Sequence, residues 1–159
     1  MSRKPESGSF LGTLLRKLVE NIVEQGIKRF REGAVGRDER PDHNGHAGSQ
    51  NSANSYVQKS IEYISSNYSY AITVEDIAGY VGVSRSHLFR SFEAVLGRSP
   101  KEYLTDFRMK QACYLLEHSS LSITAIANSL GFDNSLYFSK TFHRQKGMSP
   151  KEYREKNRS

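Results

Sequence analysis

The sequence predicts an all-α protein, and three observations carry that expectation. Downstream of residue 55 the apolar residues recur at spacings of three and four, as in Val57, Ile61 and Ile64. Successive periodic stretches are opened by Ser or Thr and closed by Gly. One helical unit is also written twice, most visibly in the pentapeptide SPKEY, which stands at Ser99–Tyr103 and again at Ser149–Tyr153. The expected architecture is an N-terminal helix and a flexible linker, followed by two copies of that unit joined by a long helix.

The N-terminal segment, residues 1–32, contains a candidate amphipathic helix from Phe10 to Phe30. Leu11, Leu15, Leu18 and Ile22 form its stripe, which Leu14, Val19, Val23 and Ile27 widen. A homodimer through residues 10–30 or docking on another protein would hide that face; with Arg16, Lys17, Lys28, Arg29 and Arg31 beside it, an anionic membrane surface would too. A poorly ordered remnant is the remaining reading. Residues 33–54, GAVGRDERPDHNGHAGSQNSAN, are rich in Gly, Asn, Ser and charge and nearly devoid of apolar side chains, so they read as a disordered linker. His43 and His46 within it read as a solvated pair, because no thiolate accompanies them to complete a metal site.

Residues 55–157 carry the helical domain, beginning with a helix over Tyr56–Asn67. Thr73 with Asp76 three residues on opens a short helix that Gly82 stops, and Ser84 opens a second, Arg85–Leu96, that ends at Gly97. The same order returns downstream. Ser122 replaces Thr73, Ile126 and Ala127 replace Ile77 and Ala78, and Gly131 replaces Gly82; Phe138, Phe142 and Gly147 replace Leu88, Phe92 and Gly97. The offset is 49 before the turn and 50 after it, so the second copy accommodates one extra residue at its turn while both helical periods are kept. This is an internally duplicated helix-turn-helix unit. In each SPKE, Ser at the N-cap, Pro at the first helical position and Glu three residues after Ser make a capping box. The first starts the joining helix, Pro100 to about Glu117, with Leu104, Phe107, Gln111, Ala112, Leu115 and Leu116 near one side; the second starts a closing helix, Pro150 to about Lys156. The charges Glu152, Arg154, Glu155 and Lys156 read as its solvated face.

Those residues carry a resemblance. IAGYVGVS, LFRSF and GRSPKEYL, followed by IANSLGF, YFSKTF and GMSPKEYR, resemble the DNA-binding domain of the AraC/XylS family of transcription regulators. The resemblance covers about 100 of the 159 residues and does not reach the first 54. It implies homeodomain-like three-helical repeats, double-stranded DNA as partner, RNA polymerase as a second partner, and an activator.

Helical periodicity places the outward residues. In the first recognition helix Leu88, Phe92 and Val95 point inward, leaving Ser86, His87 and Arg90 opposite and Arg85 and Phe89 on the flanks. Arg90 suits a guanine edge, which a guanidinium can pair bidentately, or a phosphate. Phe89 suits a thymine methyl or the domain edge, and His87 a polar edge or phosphate contact. In the second, Phe138, Phe142 and Gln145 mark the inner side, with Leu136, Tyr137 and Lys140 outward and Ser135 and Ser139 beside them. Lys140 and Arg144 are assigned to phosphates, Asn134 and Ser135 to a backbone oxygen or a base edge, and Leu136 is placed to meet a thymine methyl.

The net charge of +6 agrees with a phosphate-rich partner. No apolar run approaches the roughly 18 residues of a membrane span, and the lone Cys113, in an apolar helical run, reads as a buried structural thiol in a reducing compartment; the expected location is cytoplasmic. No phosphate loop, nucleophile elbow or paired carboxylates occur, so neither an enzyme nor a cofactor is expected. The sequence therefore reads as a sequence-specific transcription regulator; a protein-binding adaptor and a nonspecific architectural DNA binder are the alternatives.

Overall fold

The computed structural model describes residues 47–158. They form seven helices: α1 (Ala47–Asn67), α2 (Val74–Val81), α3 (Arg85–Leu96), α4 (Pro100–His118), α5 (Ile123–Ser129), α6 (Ser135–Lys146) and α7 (Pro150–Asn157). The expected amphipathic helix over residues 10–30 and the His43/His46 pair lie outside the described residues. No described helix is long and apolar enough to cross a membrane.

One boundary is corrected. Helix α1 starts at Ala47, inside the stretch 33–54 read as linker and ahead of the Tyr56 start and the domain boundary at residue 55. Its first turns are polar and exposed, and Ser52 Oγ donates to the Gly48 carbonyl. Once the apolar turns downstream are packed, extending a helix backwards adds one hydrogen bond per residue fixed and requires no apolar period.

The first unit is α1, α2 and α3. Ile77, Ala78, Leu88 and Phe92 are buried with Val57 and Ile64 of α1, and α1 packs on both α2 and α3. In the second unit Ile126, Ala127, Phe138 and Phe142 are buried at the corresponding positions, joined by Leu130 and Phe132 from the longer turn. Helix α4 contacts α3, α5 and α7. Its expected inner residues Leu104, Phe107, Gln111, Ala112, Leu115 and Leu116 are all buried, but so are Arg108 and Met109. The joining helix is therefore covered over a wider arc than one amphipathic stripe provides.

Local chemistry sets the helix ends. Thr73, Ser99 and Ser149 each complete a capping box: their backbone N–H groups donate to Asp76, Glu102 and Glu152 at 2.7 Å, and their hydroxyls accept from the N–H of the same residues at 3.2 Å. SPKEY also supplies a half-buried ring that packs against the core. Tyr103 meets Phe92 edge-on with ring centroids 6.0 Å apart, and Tyr153 meets Phe142 in the same manner at 5.4 Å. The repeated word thus starts a helix and pins it to the recognition helix that precedes it. Two expectations at this end change: Arg154 is half-buried and donates to the Leu121 carbonyl, and Cys113 is half-exposed.

The turn of the second unit contains the extra residue: three steps separate Gly131 from the N-cap Asn134, whereas two separate Gly82 from Ser84. Gly82 caps α2 directly, but α5 is capped by Leu130, and Gly131 follows with φ of +76°. Space there is closed. A Cβ on Gly131 would stand 2.5 Å from the Tyr70 carbonyl oxygen, 2.6 Å from an Arg108 guanidinium nitrogen and 2.8 Å from the Tyr68 carbonyl oxygen. Arg108 is buried, donates through Nε to Tyr68 at 3.0 Å and through Nη2 to Tyr70 at 2.7 Å, and lies over the Phe132 ring at 5.4 Å. Burial lowers its pKa, and the nearby Asp133 carboxylate opposes that shift.

Gly131→Ala should accordingly destabilise the domain by at least about 2 kcal/mol, combining left-handed strain with a steric clash. Gly82→Ala, where a Cβ would meet nothing within 4 Å, should cost only the conformational part, about 1 kcal/mol. Urea denaturation of the two variants checks the difference; equal losses would show that the packing around Gly131 is loose.

Hydrogen bonds from the N-cap backbones of Thr73, Ser99 and Ser149 hold the carboxyls of Asp76, Glu102 and Glu152 below their ordinary pKa values. Because the folded pKa lies below the unfolded one, this contribution is complete above the unfolded value, about 4, and is lost as pH falls through the folded value. Glutamine still closes a capping box but does not titrate. The double variant Glu102→Gln/Glu152→Gln should therefore lose less stability between pH 7 and pH 3 than wild type, as read from urea midpoints at the two pH values.

Candidate nucleic-acid interface

Two helices with matching interiors present different exteriors. In α3, Leu88 and Phe92 are fully buried while Arg85, Ser86, His87, Phe89 and Arg90 are all exposed, as the periodicity predicts. Val95, expected inside, is half-exposed near the helix end. Ser84 caps the helix by accepting from the His87 N–H at 3.1 Å. Arg85 reaches back to Glu75 of α2 at 2.7 Å, a pair more than half exposed on both sides. The His87 ring meets Tyr56 of α1 edge-on at 5.3 Å, so it stands at the α1 border of the face, while Phe89 is 47% exposed.

In α6 the buried residues are Phe138, Phe142 and Thr141. Gln145, expected on the inner side, is exposed: it projects from the edge facing α4 and donates to Asp106 Oδ1 at 2.9 Å. Leu136, Tyr137, Lys140 and Arg144 are exposed, whereas Ser135 and Ser139 are half-buried on the flanks. Asn134 is the N-cap. Its Oδ1 accepts from the N–H groups of Leu136 at 2.8 Å and Tyr137 at 3.2 Å, so this oxygen is committed to the helix and only the amide nitrogen is left for another partner.

Electrostatically the two faces are open and cationic. Among the described residues Arg90, Lys140 and Arg144 have no ion-pair partner. No group of three or more His, Cys, Asp or Glu gathers for a metal among the described residues.

Between α6 and the start of α4 lies a polar cleft that the sequence did not disclose. Tyr137, Arg144 and Gln145 form one wall; Gly97, Arg98, Lys101, Glu102, Thr105 and Asp106 form the other. The Asp106 carboxylate spans it, accepting from Arg98 at 2.9 Å through one oxygen and from Gln145 through the other. One side chain of α4 is thereby bonded to Arg98, two residues past the end of α3, and to the last turn of α6. The Gln145 contact crosses 39 positions and has no periodic signature; the only available signal was the pair of cations, Arg98 and Lys101, flanking SP.

Residues 77–156 match a family model described as a helix-turn-helix domain. The chain is 45% identical over 101 residues to the lactose operon transcription activator of Staphylococcus xylosus, an alignment covering 64% of this chain and 36% of that one. The chain thus spans about a third of the length of that relative. In fold it is similar to a Chromobacterium violaceum transcriptional regulator with an AraC-type DNA-binding domain, with a TM-score of 0.59 and 33% identity over 70% of this chain and 96% of that one. It is also similar to the DNA-binding domain of the global transcriptional factor AdpA in complex with a target DNA, with a TM-score of 0.57 and 30% identity over 65% of this chain and 90% of that one.

Proposed function

This chain belongs to the helix-turn-helix family of AraC type, and on that premise we propose that it is a sequence-specific DNA-binding transcription regulator reading two adjacent major-groove subsites. The observation that carries the reading is the duplication itself. Helices α3 and α6 bury the same register of residues, end at the same kind of glycine, and each leaves an outer face with an uncompensated cation. Stability requires only the buried half of that pattern, and an exposed arginine or lysine on a helix that fits the major groove is what a phosphate or base edge accepts. The likeness to a domain crystallised with its target DNA supports it.

In this reading α3 is the principal base reader through Arg90, with Ser86, His87 and Phe89 bordering it and Arg85 held by Glu75 at the rim. Helix α6 positions the duplex through Lys140 and Arg144, with Ser135 and Ser139 on its flanks. The Asp106 bridge adjusts the spacing at which the two helices meet the duplex. The activator role is proposed from the family resemblance and the name of the Staphylococcus relative, a transcription activator; RNA polymerase as second partner is proposed from the family resemblance alone. Self-association through residues 10–30 completes the proposal for the whole chain.

Selection from random duplexes at physiological salt tests the reading. A regulator yields two short blocks about 10 bp apart, an architectural binder yields no motif, and an adaptor retains little DNA. On the selected site Arg90→Ala should cost about 1 to 3 kcal/mol and flatten one or two positions of one block. Lys140→Ala should weaken all sequences alike and lower the salt slope by about one. The reverse pattern would exchange the roles of the two helices.

Asp106→Ala removes only surface bonds, so global stability should change by no more than about 1 kcal/mol. Both blocks should survive while the spacing tolerated between them broadens. Spacing as sharp as in wild type would exclude Asp106 as the element that sets it.

A further inference from the structure

The two outer faces differ in chemistry at equivalent positions. With the offset of 50 that aligns Phe138 with Leu88, Leu136 takes the place of Ser86, Tyr137 that of His87 and Lys140 that of Arg90. Ser86 and His87 of the first unit are thus replaced by a leucine and by a tyrosine with an apolar ring, while Phe89 is replaced by Ser139. Leu136 is 61% exposed and Tyr137 53% exposed, the largest apolar side chains that α6 leaves in water.

Three further features define what could cover them. Leu136, Lys140 and Arg144 stand four residues apart and share one face, so the apolar pair lies at the start of a cationic row matched to a polyanion. Two of the donors at the helix start are already used, since Asn134 Oδ1 takes the N–H groups of both Leu136 and Tyr137. The Tyr137 ring is steadied against Phe132 at 6.0 Å. A base edge arriving at the Leu136 side chain and the Tyr137 ring meets apolar surface, and the backbone N–H groups of these two residues are already engaged. In the major groove the apolar feature that distinguishes bases is the pyrimidine C5-methyl.

We propose that Leu136 and Tyr137 form a methyl-reading site for the second subsite, taking the C5-methyl of thymine and, by the same chemistry, of 5-methylcytosine. This rests on the reading of α6 as a major-groove helix. The second block is then specified by methyl groups and the first chiefly by Arg90, and cytosine methylation inside the second block changes affinity.

The test uses the full chain and the duplex recovered by selection. Each thymine of the second block is replaced in turn by deoxyuridine, which keeps every hydrogen-bonding group and removes only the methyl. Wild type should lose about fourfold in affinity for each methyl it covers, and Leu136→Ala should bind thymine and deoxyuridine duplexes alike. Methylating a cytosine placed at the sensitive position should restore affinity relative to unmethylated cytosine. If the second block is recovered but deoxyuridine costs wild type nothing, the methyl site is overturned while α6 remains a reader. If no second block is recovered, the major-groove reading of α6 fails and the methyl site with it. The wild-type measurement stands whether or not the variant folds.

Discussion

The relation between the two units depends on a charged side chain that the fold buries. Arg108 leaves the middle of the joining helix, donates to two carbonyls of the segment after α1, and lies over a ring from the turn of the second unit. Burying a guanidinium is costly unless its donors are satisfied and its charge is answered. Here the Tyr68 and Tyr70 oxygens, the Phe132 face and the Asp133 carboxylate supply those terms. Each comes from outside α4. The side chain therefore finds its partners only when the first unit, the joining helix and the second turn are assembled together, and Gly131 is the residue that leaves room for it.

Within each unit the organisation is more local. Caps close over three residues, the recognition helix buries two large side chains, and the tyrosine of SPKEY lies against the second of them. On the opposite side of the joining helix from the buried guanidinium, given about 100° per residue, Asp106 bonds to Arg98 and Gln145. One tie is dry and one is wet. The dry tie joins the first unit, the joining helix and the second turn, and the wet one joins the end of α3, the joining helix and the last turn of α6.

Much of this was legible in the sequence because it is written at short range. The Ser–Pro–x–Glu frames, the Gly stops and the inner residues Leu88, Phe92, Phe138 and Phe142 are fixed by neighbours within a turn or two. The extra residue in the second turn was legible as a change of offset. What escaped depends on distance. An arginine reads as surface, and nothing near Arg108 in sequence announces carbonyl partners 38 and 40 positions away. Gln145 falls at the right helical angle to point inward from Phe138, but Asp106 holds it at the edge and Thr141 fills the interior. The start of α1 escaped for the opposite reason: Ala47 to Ser55 carry neither an apolar period nor a cap to mark it.

The outer faces of α3 and α6 also have a consequence for how such a protein changes over generations. Ser86, Arg90, Leu136 and Lys140 support neither a cap nor the buried core, and substitutions at such positions usually move stability by less than about 0.5 kcal/mol. Mutation can rewrite either face while the chain keeps folding, and because the faces lie on separate copies, one can drift while the other stays unchanged. A duplicated interior with independent exteriors gives evolution a way to change one surface through intermediates that remain folded.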